Sequence, residues 1–279
     1  MSSKYKESDL SRKCQIIQGP GLNIAIVGKT GVGKSHTGNT ITGCDHDFEV
    51  ADIASSKTTV CEIGYREKKD RKIAVLDTPG VFSTEDHNLE KMTQELCKIV
   101  TLFGKEGLHA LVVVISSRVR FTESETKAIN IFQNLFGSTF VNYAIIVVTG
   151  KDNLRGISES EFLSAPESLT TILEQCGNRS VFFDNTTRDE TLKRQQLVKL
   201  IDMIDERVKE NGGPYTDKLF QDGKRYMEEI LEGIKRQKPT WSLIEQQLEA
   251  KRRAAKMDHS KAPMYKKIWD IIYRYLWTA

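Results

Sequence analysis

A glycine-rich octapeptide has the residue types and the spacing that bind a phosphate chain. It reads GKTGVGKS over 28–35 and follows an apolar hexapeptide, 22–27, that is typical of a buried strand. Glycines allow a tight turn in which several backbone N–H groups point at one anion. The lysine of this pattern reaches β- and γ-phosphate oxygens, and the next hydroxyl can ligate Mg²⁺. The segment predicts a nucleoside phosphate site, and its spacing disfavours the dinucleotide pattern G-x-G-x-x-G.

The predicted phosphate site extends over the whole loop and into the helix that follows it. Lys34 is expected to bind the phosphates, and Ser35 to bind both the nucleotide and Mg²⁺. His36 begins a helix whose positive N-terminal end faces the anion, and it is not expected to act as a general base. The residues predicted to bind the nucleotide here are Gly28, Lys29, Thr30, Gly31, Val32, Gly33, Lys34, Ser35 and His36.

A second element, DTPG over 77–80, ends another apolar run and indicates a GTPase. Asp77 is predicted to hold Mg²⁺, and the backbone N–H of Gly80 is predicted to approach a γ-phosphate oxygen. In the loop before it, a threonine is expected to close over Mg²⁺ and the γ-phosphate. We assign this role to Thr58, although its neighbour Thr59 is an equally placed alternative.

The base is expected to bind at TGKD, over 149–152, which follows a further apolar run. The carboxylate of Asp152 can accept hydrogen bonds from N1 and N2 of guanine, and adenine lacks these donors. Thr149 stands where the usual reader N-K-x-D has asparagine, so the aspartate carries the prediction. Asn185, after the last apolar run, is placed to contact guanine O6. The expected ligands are therefore GTP or GDP with Mg²⁺.

The elements that must position these residues follow an alternating pattern. Buried strands of a mainly parallel sheet are predicted at 22–27, 72–76, 110–115, 143–148 and 181–183. Capping signals at Thr122, Ser164 and Ser242 begin helices, two of them between these strands. Residues 58–66 are predicted to form an extra strand that pairs with 72–76 through a turn over 67–71. The fold class expected is a three-layer α/β domain of the P-loop type.

The division of the chain is predicted from a break at Asn211-Gly212-Gly213-Pro214, beyond which no strand pattern occurs. We expect a flexible leader over 1–20, a nucleotide-binding domain over 21–212 and a helical extension over 213–279. The extension ends in an amphipathic segment, 266–277, too short to span a bilayer. We expect this segment to bury apolar residues on the domain; the alternative is peripheral contact with a membrane. These apolar residues are Trp269, Ile272 and Leu276.

Composition is that of an ordinary soluble globular protein, with 39% hydrophobic and 28% charged residues among 279. A net charge of +3 is too small to suggest a nucleic-acid partner. The five cysteines form no C-x-x-C pair and are expected to be free thiols in a reducing compartment. No signal peptide pattern is visible, and a cytoplasmic location is expected.

These segments together resemble the GIMAP family, the immunity-associated nucleotide-binding GTPases related to septins and to the Toc GTPases of the chloroplast envelope. The likeness covers about Leu22 to Pro214. It implies a G domain with guanine nucleotide and Mg²⁺, dimerisation through the nucleotide face and a helical C-terminal extension. The segments that carry it are GKTGVGKS-HTGN, DTPGVFST, GLHALVVVISSRVRFTESE, TGKDNL and CGNRSVFFDN.

The resemblance also implies how GTP would be hydrolysed. The segment that resembles the family's own box offers two arginines, Arg118 and Arg120. Arg120 falls at the family's arginine before an aromatic–threonine pair and resembles a finger that one protomer extends to its partner. Such an arginine is worth roughly 10³–10⁵-fold in rate. Val81 stands where Ras-type enzymes have a glutamine that orients water, so slow hydrolysis by the lone chain is expected. The alternative is an interaction module that binds nucleotide and does not hydrolyse it.

One position departs from the family's pattern. Gly150 stands where the family usually has a large basic residue that covers the base. Lys151 is the candidate for that contact, and it is included among the predicted nucleotide-binding residues with Thr149, Asp152 and Asn185.

Overall fold

A mixed β-sheet lies at the centre of the protein, whose computed structural model describes residues 21–43, 47–48, 62–68, 71–78, 89–119, 121, 123–164 and 167–277. Within these residues the sheet has six strands in the order β2-β3-β1-β4-β5-β6. β2 pairs with β3 in the antiparallel sense, and the other neighbours are parallel. The strands are β1 Leu22–Val27, β2 Glu62–Lys68, β3 Arg71–Asp77, β4 Ala110–Ser116, β5 Ala144–Thr149 and β6 Ser180–Phe183.

Helices cover both faces of this sheet and continue beyond its last strand. Short 3₁₀ helices at Ser138–Tyr143 and Lys151–Asn153 flank β5. The α-helices are α1 Lys34–Thr42, α2 Leu89–Phe103, α3 Glu123–Phe136, α4 Glu159–Ser164, α5 Glu167–Gln175, α6 Glu190–Glu210, α7 Lys218–Gln237, α8 Leu243–Lys256 and α9 Tyr265–Trp277.

The strands are apolar throughout because both faces of the sheet are covered. In β1, Ile24 and Ile26 belong to a cluster with α1 and α6, whereas Ala25 and Val27 belong to a cluster with α2, α3, α5 and α7–α9. Side chains alternate between the faces of a strand, so a strand buried on both sides has no polar face. The three-layer α/β architecture predicted from the sequence is confirmed.

Most element boundaries agree with the sequence prediction to within a residue or two. The predicted antiparallel strand is present, but it extends to Lys68 and the next strand begins at Arg71, so the turn is shorter than expected. Ser242 caps α8 through a complete capping box with Glu245. Thr122, the predicted cap of α3, lies outside the described residues.

The C-terminal helices pack on the sheet domain and share its larger apolar cluster. Ile268 and Ile272 of α9 are fully buried and belong to the same cluster as residues of α2 and α3, and Trp269 is partly buried against it. The docking expected for Ile272 is therefore observed. No helix within the described residues is long and apolar enough to cross a membrane. The division at residue 213 into two domains stays a prediction.

The contact between α7 and α2 is unusually close because glycines lie in it. A Cβ placed on Gly223 would lie 2.1 Å from the carbonyl oxygen of Val100, and one on Gly104 would lie 2.4 Å from the backbone nitrogen of Lys224. The two backbones therefore touch with no side chain between them. α2 is buried on nearly all sides. Its buried residues include Lys98 and Glu95, which form an ion pair at 2.8 Å.

Candidate functional site

The glycine-rich loop runs from β1 into α1 in a conformation that needs its glycines. Gly28, Gly31 and Gly33 have φ of 150°, 82° and 93°, values that side chains disfavour. A Cβ on Gly28 would lie 2.3 Å from the carbonyl oxygen of Val114. α1 begins at Lys34, so the loop ends at a helix N-terminus, where the first backbone N–H groups lack intrahelical acceptors. This is the geometry that binds a phosphate.

The ammonium of Lys34 is held inside this loop. Its side chain is buried, and Nζ donates a hydrogen bond of 3.0 Å to the carbonyl oxygen of Lys29. Burial lowers the pKa of Lys34, and the nearby carboxylate of Asp77 opposes that shift. A buried cation with few partners gains most from an anion that enters the loop.

Ser35 and Asp77 form the pair predicted to hold Mg²⁺. The Ser35 hydroxyl donates to Oδ2 of Asp77 at 2.6 Å. Asp77 is fully buried, and its Oδ1 has no hydrogen-bond partner within the part of the chain that the structure describes. Burial raises the pKa of this carboxyl to about 6, against the opposing effects of Lys34 and Ser35. An orphaned carboxylate oxygen beside a hydroxyl is a donor set that fits Mg²⁺, which prefers oxygen ligands.

Thr149, the last residue of β5, supports the phosphate loop. Its hydroxyl lies 2.6 Å from the carbonyl oxygen of Val32 and 3.1 Å from that of Ile115. The side chain is buried, so it joins the loop to the ends of β4 and β5. Its contact with the nucleotide stays a prediction.

The predicted base-binding residues lie just beyond β5. Asp152 is partly exposed and forms an ion pair with Arg118, from the turn after β4. Lys151, the expected cover of the base, instead forms an ion pair with Glu159 of α4 at 2.8 Å. Their roles toward a base remain predictions, and the position of Arg118 is new.

Asn185 lies between the phosphate loop and the end of β6. Its Nδ2 donates to the Thr37 hydroxyl at 3.1 Å, and its Oδ1 accepts from the Thr40 hydroxyl at 3.2 Å. A Cβ built on Gly33 would lie 3.6 Å from this amide nitrogen. The structure thus brings Asn185 to the first turns of α1.

The two histidines near these elements occupy different environments. His36 is exposed in the first turn of α1. His109 is buried, and its Nδ1 accepts a 3.0 Å hydrogen bond from the backbone N–H of Asn23. Burial lowers the pKa of His109 to about 4, and the hydrogen bond to the backbone of Asn23 gives this histidine a structural role.

Three predicted site residues lie outside the described residues. They are Thr58, Gly80 and Arg120, and Thr59, the alternative to Thr58, also lies there. Their roles stay predictions.

Comparison with known proteins gives the family. Residues 22–234 match the model of the AIG1 family. The chain belongs to the AIG1 family. It is 32% identical over 255 residues to immune-associated nucleotide-binding protein 10 of Arabidopsis thaliana, covering 87% of this chain and 54% of that protein. It is 35% identical over 214 residues to immune-associated nucleotide-binding protein 7 of the same plant, covering 75% and 68%. The AIG1 chain thus spans little more than half of the first relative, and the resemblance seen in the sequence is confirmed.

Solved structures show the same fold. Toc33 of Arabidopsis thaliana in complex with GDP and Mg²⁺ matches with a TM-score of 0.52 and 18% identity, over 71% of this AIG1-family chain and 88% of Toc33. A structure of a chloroplast translocon component, described together with atToc33 and psToc159, matches with a TM-score of 0.51 and 21% identity, over 72% of this chain and 86% of that one. At this identity the likeness shows the fold: a P-loop GTPase domain with added C-terminal helices.

In this AIG1-family chain the C-terminal ends of β1, β3, β4, β5 and β6 lie at one edge of the sheet. They do so because these strands are parallel and end together, which is where ligands bind in open α/β sheets. Sequence reasoning considered Arg118 only as a source of positive charge for hydrolysis and gave no role to Ser117; both residues follow β4. Their position directly after a strand adjacent to β5 is the signal that could have placed them beside Asp152.

Proposed function

We propose that this protein is a guanine-nucleotide-binding GTPase that acts as a switch or scaffold. The observation that carries the proposal is the hydrogen bond of Ser35 with Asp77 beside the phosphate loop, where Oδ1 of Asp77 has no hydrogen-bond partner among the described residues. This pairing joins the two motifs that P-loop GTPases use for Mg²⁺ and the phosphates. The names of the AIG1 relatives, which describe nucleotide binding, support the same reading.

The phosphates of GTP or GDP would bind in the loop 28–35. Backbone N–H groups of the loop and of the first turn of α1 would contact them, and Lys34 would donate to the β- and γ-phosphates. The buried position of the Lys34 ammonium supports this role, because it already lies inside the loop. His36 would contribute only through its place in the first turn.

Ser35 and Asp77 would hold Mg²⁺, with Thr58 as the residue that closes from the loop between them. Mg²⁺, when bound, supplies positive charge next to the β- and γ-phosphates. Asp77 would stay ionised beside that charge, since both a cation and the Lys34 ammonium favour its carboxylate form. Gly80 would bring its backbone N–H to the γ-phosphate.

Guanine would be distinguished from adenine by Asp152. Its carboxylate accepts hydrogen bonds from donors that guanine has and adenine lacks. If adenine bound, the desolvated carboxylate would have no hydrogen-bond donor, and adenine would therefore bind more weakly. Asn185 would contact guanine O6 from the other side, with Thr149 and Lys151 completing the subsite.

Hydrolysis is proposed to be slow in the single chain and faster in a dimer formed through the nucleotide face. Val81 cannot orient a water molecule, so the main increase in the rate of hydrolysis would come from positive charge placed next to the γ-phosphate. Arg120 of one protomer would supply it to the other. For Toc33 and psToc159, dimerization is described as important for GTPase activity.

The binding half of the proposal is tested by identifying the nucleotide that heat releases from purified protein, and by titrating GDP and ADP. Retention of GDP or GTP with a strong preference over ADP is expected, and Lys34→Ala should abolish retention. Lys193→Ala, in an exposed ion pair on α6, is the matched control and should bind normally. Equal affinity for ADP would refute the proposal.

The hydrolysis half is tested by turnover per molecule at low and high protein concentration. Turnover should rise with concentration, and Arg120→Ala should remove the rise while GTP still binds. Arg225→Ala, an exposed arginine on α7, is the control. If turnover is absent at every concentration while GTP still drives dimerisation, the non-hydrolysing interaction module is the better description.

The last helix is proposed to remain on the core, since Ile268 and Ile272 are already buried there. Peripheral membrane contact is the alternative. Sedimentation with anionic vesicles, with and without residues 259–279, distinguishes the two arrangements, because only membrane contact predicts a loss of binding on truncation.

A further inference from the structure

The base subsite contains a cation that comes from a neighbouring strand. Nη2 of Arg118 donates to Oδ2 of Asp152 across the ends of β4 and β5. Arg118 lies in the turn after β4, and Asp152 lies in the 3₁₀ helix after β5. The inference below rests on the proposed function, because it concerns how Asp152 reads a guanine.

Gly150 explains why this arginine can reach the carboxylate. A Cβ on Gly150 would lie 2.7 Å from the Ser117 hydroxyl and 3.2 Å from both Cγ and Nε of Arg118. The arginine stem therefore runs through the space that a side chain at position 150 would occupy. A φ of 76° at Gly150 adds a second reason for glycine there.

The turn that carries Arg118 is fixed to the base loop by further hydrogen bonds. The backbone N–H of Ser117 donates to the carbonyl oxygen of Thr149 at 2.9 Å, and the Ser117 hydroxyl donates to that of Gly150 at 2.7 Å. The backbone N–H of Arg118 also donates to the Ser116 hydroxyl at 3.2 Å. The backbone at Arg118 is thus held in place. Its guanidinium therefore approaches the carboxylate from a defined direction.

Lys151, the cation next to Asp152 in sequence, is turned away from the carboxylate. Its ammonium pairs with Glu159 of α4 at 2.8 Å. Among the described residues, Arg118 is the cation for which the structure shows a hydrogen bond to Asp152.

We propose that Arg118 is a positioning residue for guanine recognition, which orients the Asp152 carboxylate from the space that a side chain at Gly150 would fill. An ionised carboxylate has about four acceptor positions, so one bond to Arg118 leaves positions on both oxygens for the N1 and N2 donors of guanine. The hydrogen bond from the guanidinium restrains the carboxylate oxygen that it contacts, and a guanidinium N–H has a more defined direction than the rotatable donors of an ammonium. Adenine gains nothing from this arrangement, because it lacks those donors.

The test compares GDP and ADP binding by displacement of a fluorescent guanine nucleotide. Arg118→Ala should weaken GDP about three- to fivefold, the upper part of the range for an exposed ion pair, and leave ADP unchanged. If Arg118→Ala disturbed the nucleotide site in general, including the phosphate loop, the binding of both GDP and ADP would weaken, since both nucleotides use that loop. Arg118→Lys should recover part of the GDP affinity. Arg225→Ala is the matched control, because Arg225 is an exposed arginine that forms an ion pair with Asp222 on α7, outside the proposed nucleotide site.

A double-mutant cycle shows whether Arg118 acts through Asp152. In an Asp152→Asn background, Arg118→Ala should lower GDP affinity no further. The inference is wrong if the GDP-to-ADP preference survives Arg118→Ala unchanged, or if the two substitutions are fully additive. A wild-type protein that does not prefer GDP to ADP would instead overturn the proposed function itself.

Discussion

Gly223→Ala is the substitution for which the structure makes the sharpest stability prediction. The added methyl group would lie 2.1 Å from the carbonyl oxygen of Val100, 2.5 Å from its carbonyl carbon and 2.9 Å from the backbone nitrogen of Thr101. All three atoms belong to the backbone of α2, so no rotamer change relieves the clash. α7 would have to move away from α2 by about 0.9 Å, the difference between 2.1 Å and the 3.0 Å that real Cβ contacts require.

The size of the effect follows from two opposing terms. Alanine is more favourable than glycine inside a helix by about 0.8–1.0 kcal/mol. Overpacking of a close contact costs about 1–3 kcal/mol, and here it also loosens Phe220, which is fully buried beside the contact. The clash involves rigid backbone, so we expect a net decrease of about 1–2 kcal/mol in the free energy of unfolding.

Gly233→Ala on the same helix is the matched control. A Cβ at Gly233 meets no atom within 4 Å, so only the helix preference acts, and the free energy of unfolding should rise by up to about 1 kcal/mol. Urea unfolding followed by circular dichroism and by tryptophan fluorescence measures both variants. The three tryptophans lie at Trp241, Trp269 and Trp277, so fluorescence reports on the C-terminal helices. Equal shifts of the same sign in the two variants would refute the close backbone contact.

Three further predictions concern the phosphate loop, the last helix and a buried histidine. Gly28→Ala should weaken GDP binding on the order of tenfold or more in a titration, because its Cβ would lie 2.3 Å from the carbonyl oxygen of Val114; wild-type affinity would contradict the loop geometry. Ile272→Ala should lower the free energy of unfolding by about 2–5 kcal/mol in urea melts, against a much smaller change for the exposed Tyr273→Ala; similar changes would argue against docking. The pKa of His109 is about 4 in the folded chain, below its usual value. As pH drops, the imidazole is therefore protonated in the unfolded chain before it is protonated in the folded chain. The free energy of unfolding consequently falls as pH drops from about 6.5 to 4. His109→Asn should reduce that fall between pH 7.5 and 4.5, and an unchanged pH dependence would show that His109 is not its source.

Local patterns in the sequence were sufficient for the strands and for the phosphate loop. β1 and β4 are unbroken apolar runs because both faces of each are covered, and Ser242 with Glu245 is a signal read within four consecutive residues. The glycines of the loop are recognisable since their backbone angles leave few alternatives. Each of these features depends on neighbours in the chain.

Contacts between distant segments could not be predicted in the same way. The pairing of Arg118 with Asp152 depends on the order of β4 and β5 in the sheet, and nothing near either residue in sequence specifies it. The approach of Gly223 to Val100 requires the crossing of two helices to be known. Lys151 is predicted to cover the base because it follows Gly150, where the resemblance implies a basic residue, whereas in the structure its ammonium pairs with Glu159.

The burial of α2 on nearly all sides has a mechanical consequence. One side of Leu89–Phe103 packs on the sheet, and another is covered by α7 and α9. A helix enclosed in this way cannot shift alone, since side chains in a dense core do not absorb a displacement of the backbone. A rotation of α2 at Leu89, which follows the DTPG segment in sequence, is therefore expected to displace α7 and α9 as well.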